Sequence, residues 1–134
     1  MKAEDVEYIR YRLLKARETL RDANSLHVIG SATSTVNRIY YACFYAVSAL
    51  LLSEGHSSSK HTGVISLFDR LWIKPKRLSS ELGIFYRMMF EYRQKGDYQD
   101  MFVFQADDIK VWLTQAEEFV DTLSKRTEEK IASA

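Results

Sequence analysis

Apolar residues recur every three or four positions along almost the whole chain. Val6, Ile9, Leu13, Ala16 and Leu20 share one face of a helix predicted from about Ala3 to Asn24. A second helix is predicted from about Ser31 to Ser53. Its run IYYACFYAVSALLL, Ile39 to Leu52, is apolar nearly all round, the pattern of a helix contacted by several others. GHSSSKH then reads as a loop, with Ser59 as the expected N-cap of a third helix. That helix carries Val64, Leu67, Phe68, Leu71 and Trp72, and KPK around Pro75 stops it. Leu78, Leu82, Phe85, Met89 and Tyr92 mark a fourth helix, with Ser79 or Ser80 at its start. Gly96 is the expected C-terminal cap, because glycine takes left-handed angles without penalty. Ile109, Trp112, Ala116, Phe119 and Leu123 mark the last helix, from about Gln105 to Glu129. No stretch alternates long enough for a sheet. The expected fold is all-α, an up-and-down bundle of four main helices plus a shorter one, with residues 1–134 as a single domain.

Composition narrows the class. With 46% hydrophobic and 28% charged residues the chain reads as an ordinary soluble protein. The N-terminus MKAEDVEYIR lacks the apolar stretch of a signal peptide. The longest apolar run is short against the roughly 20 residues that span a bilayer and holds three tyrosines. The expected place is therefore the cytoplasm, with no membrane partner. The single cysteine, Cys43, excludes an internal disulfide framework and reads as a small core residue. Net charge is +1 but unevenly spread. Residues 60–96 hold eight Lys/Arg against three Asp/Glu, and residues 97–134 hold four against nine. A basic middle and an acidic C-terminal helix either form a phosphate-facing surface or pack together and neutralise.

Most catalytic signatures are missing from the sequence. The five glycines are isolated, so there is no glycine-rich phosphate loop. His56 and His61 stand five apart, about 140° around one helix, and no cysteine pair joins them, so no metal and no cofactor are expected. No nucleophile elbow supports a Ser–His–Asp triad. Three polar features remain. Arg38 shares a turn with Tyr41 and Ala42 and should enter the polar end of the bundle. Lys60 and His61 open the third helix, where the histidine caps, bonds across helices or binds a ligand. EYRQKGDYQD, Glu91 to Asp100, holds Arg93, one step off the apolar stripe. That arginine either satisfies the last helix carbonyls or offers its planar fork to a phosphate.

The order of motifs NRIYYACFYAVSALLLSEG, SSKHTGVISLFDRLWIKPKRLSSELG and FYRMMFEYRQKGDY resembles the HEPN family (higher eukaryotes and prokaryotes nucleotide-binding), in particular its small stand-alone prokaryotic members. The resemblance covers roughly residues 5 to 125. It implies a helical bundle that commonly dimerises. Active ribonucleases of that family carry an arginine followed four to six residues later by a histidine, and cut RNA without metal across a dimer cleft. Many are toxins encoded beside a minimal nucleotidyltransferase, which in some pairs modifies a tyrosine near the motif with AMP. On this pattern Arg93 matches the motif arginine, Gln94 the polar residue after it, and Tyr98 stands where the histidine would be. Asp100 is nearer than Tyr98 to the position of the modified tyrosine. A tyrosine of pKa about 10 is a poor proton exchanger near neutral pH, where histidine is a good one.

Three functions follow from these residues. The first is a dimeric module that binds a nucleotide or RNA phosphate through Arg93, Lys95, Tyr98, Arg38, Lys60 and His61, working with a nucleotidyltransferase in a toxin–antitoxin-like pair. The second is a metal-independent ribonuclease toxin in which Arg93 is joined by Tyr98 and Asp97. The third is a non-catalytic protein-interaction module.

Overall fold

The computed structural model describes residues 1–134 and is helical throughout. Four long helices, α1 (Ala3–Val28), α2 (Ala32–Leu52), α4 (Ser80–Tyr98) and α5 (Ala106–Ala132), form the bundle, and the short α3 (His61–Phe68) lies beside them. A single π-helical turn, Asp69–Ile73, continues α3. The order and number of helices are those the periodicity predicts. α2 is the central element and packs against α1, α3, α4 and α5. Its 21 residues are long and apolar enough to cross a membrane, longer than the apolar run alone suggests. Val36, Ile39, Tyr40, Cys43, Val47 and Leu50 are nonetheless fully buried, so the other helices take the place of lipid. Burial also pushes the Cys43 thiol pKa up, as expected for a core cysteine.

Helix ends depart from expectation in three places. α1 runs four residues past Asn24 because Gly30, at φ +78°, supplies the left-handed residue that ends it. The Ser31 N–H donates to Leu26 O and the Gly30 N–H to His27 O, a Schellman closure. Gly55 closes α2 in the same way. At α3 the N-cap is Lys60, not Ser59, and its N–H donates to Ser58 Oγ at 3.3 Å. The Ser79 cap of α4 is as expected, its hydroxyl accepting from the Glu81 N–H.

The third departure bears on the site. Gly96 does not end α4, which continues to Tyr98, and the left-handed residue of the following link is Met101, at φ 62°. Gly96 is needed for closeness instead. A Cβ there would stand 2.8 Å from a ring carbon of Phe104 and 3.3 Å from Thr33 Cγ2. The missing side chain lets the buried Phe104 and the start of α2 close against α4. Asp97 lies on the same helix, past Gly96.

Two stability outcomes follow. Gly96→Ala gains about 1 kcal/mol of helix propensity but drives a methyl into Phe104, which costs about 1–3 kcal/mol. Urea unfolding should therefore show a net loss, whereas a gain would mean that Phe104 moves freely. Glu54 forms the hub of an ion-pair cluster, accepting from Arg77 at 2.7 Å and Lys130 at 2.8 Å. Hydrogen bonds from Arg77, and then Lys130, hold its carboxyl at about pKa 2. A depressed folded pKa stabilises the protein above the unfolded value of about 4.3 and loses that contribution as pH falls towards 2. Glu54→Gln should flatten the stability profile between those limits and leave its slope near neutrality unchanged.

Candidate functional site

The candidate site lies where the polar end of α2 meets the last turns of α4. Arg93 is buried, 8% exposed, where the sequence places it one step off the core. Its guanidinium carbon sits 5.0 Å from the Tyr40 ring centre and 5.5 Å from that of Tyr41. Aromatic faces attract the cation without saturating its hydrogen-bond donors. The carboxylate partner is Asp97, one turn on, at 3.7 Å from Nη1. Asp97 Oδ2 also accepts from Asn37 Nδ2 at 3.0 Å. Asn37 Oδ1 in turn accepts from Arg38 at 3.0 and 2.7 Å. The buried Arg93 Nε has no partner at all. An arginine has five donors in a fixed fork, and here most of that capacity is unspent in a site where unpaired polar groups are costly.

His61 joins the site from the first residue of α3. Its Nδ1 lies 2.6 Å from the Tyr40 hydroxyl, and its ring centre 4.7 Å from Phe44 and 5.7 Å from Tyr41. Arg93 and His61 thus flank the same two tyrosine rings. Burial, and then the positive charge of Arg93, lowers the His61 pKa below its ordinary value, so the imidazole is neutral near pH 7. Burial pushes the Tyr40 phenol up to about 12, so it stays protonated. Tyr40 stacks on the buried Tyr86 with ring planes 2° apart, which fixes the hydroxyl that His61 meets.

The other expected site residues divide. Arg38 is half-buried and lies over the Tyr41 ring at 5.0 Å, so it belongs to the cluster. Lys60 is exposed and adjoins it through His61. Asp97 is inside. Tyr98 is not: five residues along an unbroken helix is about 140° from Arg93, and its side chain is 76% exposed. It lines a shallow depression with Glu91, Gln94, Lys95 and Gln99. Lys95 lies over Tyr92 and Phe102 at 5.7 and 6.0 Å. Tyr40, Asn37 and Phe44 also belong to the site and carry no catalytic motif in the sequence. Asn37, Tyr40 and Phe44 stand at i, i+3 and i+7 on one face of α2, and that spacing is the signal the sequence offers.

The HEPN domain family model matches residues 9–128. The chain belongs to the HEPN family. Among HEPN relatives, a UPF0332 protein of Thermotoga maritima is 46% identical over 94% of this chain and 96% of its own length. Two proteins of Methanocaldococcus jannaschii, each named a putative toxin, are 31% and 29% identical. Those matches cover 83% and 85% of this chain, and 76% and 84% of the two proteins. In this HEPN domain Arg93 and His61, on different helices, share the rings of Tyr40 and Tyr41.

The arrangement is testable without a ligand. In an NMR titration the His61 Cε1 proton should show a midpoint below 6.5, and Arg93→Gln should move it upward. The midpoint should stay below 6.5 in that variant, since burial is the larger cause. An unchanged midpoint would mean that the guanidinium does not face the imidazole.

Proposed function

We propose that this HEPN domain is a toxin-like module that grips an RNA or nucleotide phosphate at Arg93. The observation that carries the reading is the buried guanidinium with its unpartnered Nε and one long contact to Asp97. A phosphate entering there meets a planar fork of donors, the half-buried Arg38 and the adjoining Lys60. Asp97 opposes the anion, and binding would turn it towards Asn37, which already donates to it. The names of the Methanocaldococcus jannaschii relatives support the toxin-type reading, and with it a neutralising protein partner. A minimal nucleotidyltransferase is the partner class that the family resemblance suggests, and a homodimer the assembly. In this reading the whole chain acts as one unit in the cytoplasm.

A second reading, cleavage of the bound RNA, is favoured by His61. If Nδ1–H donates to the Tyr40 oxygen, Nε2 is left to take a proton from a ribose 2′-hydroxyl. Attack of that oxygen on phosphorus expels the 5′-oxygen, which receives the proton, while Arg93 bears the charge on the phosphoryl oxygens. Tyr98 has no part in this reading, because it lies on another face of α4. The proton-transfer group is His61 in its place.

Binding of a labelled single-stranded RNA at low salt, followed by fluorescence anisotropy, tests both readings. Arg93→Gln should weaken binding about 10- to 100-fold, the loss expected for hydrogen bonds to a charged group. If the second reading holds, the wild type cuts that RNA in the presence of EDTA and His61→Gln stops cutting while still binding. RNA that is bound and left intact leaves the first reading alone. No binding of RNA or of any nucleotide leaves the protein-interaction module.

A further inference from the structure

The cations of this chain are treated differently on its two sides. Arg10 and Arg17 on α1 are tied to carboxylates of α5 at 2.9 and 2.7 Å. Arg12 and Lys15, on the same helix but turned towards α2, have no carboxylate partner within ion-pair distance. Both instead lie over the ring of Tyr45, at 5.7 and 5.9 Å. Arg12 also lies 5.3 Å from the Tyr8 ring centre and donates to its hydroxyl at 2.7 Å. Tyr45 meets Tyr41 at 6.2 Å and Phe44 at 5.7 Å between ring centres. Tyr41 carries Arg38 and Arg93 at 5.0 and 5.5 Å. Aromatic rings carrying cations therefore follow one another from the Arg93 site along α2 to Tyr8.

From this we infer that the α1–α2 face is a stacking track for a short single-stranded RNA, which leaves the Arg93 phosphate site and runs towards Tyr8. The inference rests on the phosphate reading of Arg93 and adds the form of the ligand. Single strands bind where basic side chains follow the backbone and aromatic rings receive bases, whatever their sequence. Both are present here. Tyr8 is 46% exposed, and Tyr41, Phe44 and Tyr45 are half-buried. The unpaired guanidinium of Arg12 and ammonium of Lys15 match a phosphodiester chain and oppose an apolar helix as partner. From Tyr41 to Leu52 the helix rises about 16 Å. At roughly 3.4 Å per stacked nucleotide that accommodates about five nucleotides. A cavity of about 220 Å³ closes the far end, lined among others by Tyr8, Phe44, His56, Ser57 and Ser58. It offers aromatic walls to a base and hydroxyl and imidazole groups to its edge. Rigid double-stranded RNA presents stacked bases inside and cannot use the rings.

The test compares fluorescein-labelled hexauridylate, labelled dinucleotide UpU and a twelve-base-pair RNA duplex as probes, with the full-length chain. Hexauridylate should bind at least tenfold more tightly than UpU, and more tightly than the duplex. Tyr8→Ala, an exposed site, should cost about tenfold on hexauridylate, the scale of one base stack, and leave UpU binding unchanged. Arg12→Gln with Lys15→Gln should reduce the salt slope for hexauridylate by about 1.4, two phosphates at 0.7 each. Equal affinity for the two single-stranded probes, or a duplex preference, overturns the track while leaving the Arg93 reading intact. Loss of all binding in the wild type overturns the Arg93 reading itself. If the Tyr8 and Arg12/Lys15 variants change the sedimentation mass but not RNA affinity, this face joins protein copies, and the track is likewise overturned.

Discussion

Because α2 is apolar around nearly its whole circumference, it must be enclosed, and the other helices take their places around it. That requirement also creates the site. The aromatic residues near the start of α2 have polar tips, and a buried tip needs a partner. Tyr40, fully buried, finds one in His61. This brings the start of α3 to the end of α4 and leaves Arg93 lying on the Tyr40 ring. A guanidinium placed there is held by ring faces, which attract its charge and leave most N–H groups unbonded. Had Asp97 been placed for a close bidentate pair, Arg93 would be satisfied within the protein and of little use to a ligand. The contact is long, and Asn37 competes for the same oxygen.

How much of this could be read from the sequence depends on the range of the interaction. The five helices and most of their buried faces follow from local periodicity. Ser79 as a cap and Cys43 as core are local as well. Arg38 with Tyr41 is a neighbouring pair on one helix, and it was legible for that reason. His61 with Tyr40 joins two helices, and nothing near either residue announces the pairing. Gly96 is the instructive failure. Glycine serves either where φ is positive or where a side chain would collide, and the sequence around it fits both. Which one applies is decided by Phe104 and Thr33, which approach from other parts of the chain. The motif spacing alone sets Tyr98 with Arg93, whereas the helix that continues through Gly96 puts Asp97 one turn from Arg93 and turns Tyr98 away. The continued helix thus keeps Asp97 in the site and removes Tyr98.

The same packing decides where charge remains on the surface. A basic middle segment and an acidic C-terminal helix invite the idea that they neutralise each other, but the fold pairs them otherwise. Asp121 and Glu128 of α5 are taken by Arg17 and Arg10 of α1, while in the middle segment Asp69 is taken by Arg87. Such exposed pairs add little to stability, on the order of 0–1 kcal/mol each. Their larger effect is on where charge remains. Arg10 and Arg17 stand seven residues apart, two turns along one face of α1. Arg12 lies about 200° around the helix from Arg10 and reaches α2 instead. One helix thereby neutralises an acidic neighbour and still presents cations on its other side. A chain of net charge +1 acquires a positive face, whose field extends about 8 Å at physiological salt. That reach covers a phosphate lying on the rings of Tyr41 and Tyr45, but not one on the far side of the bundle.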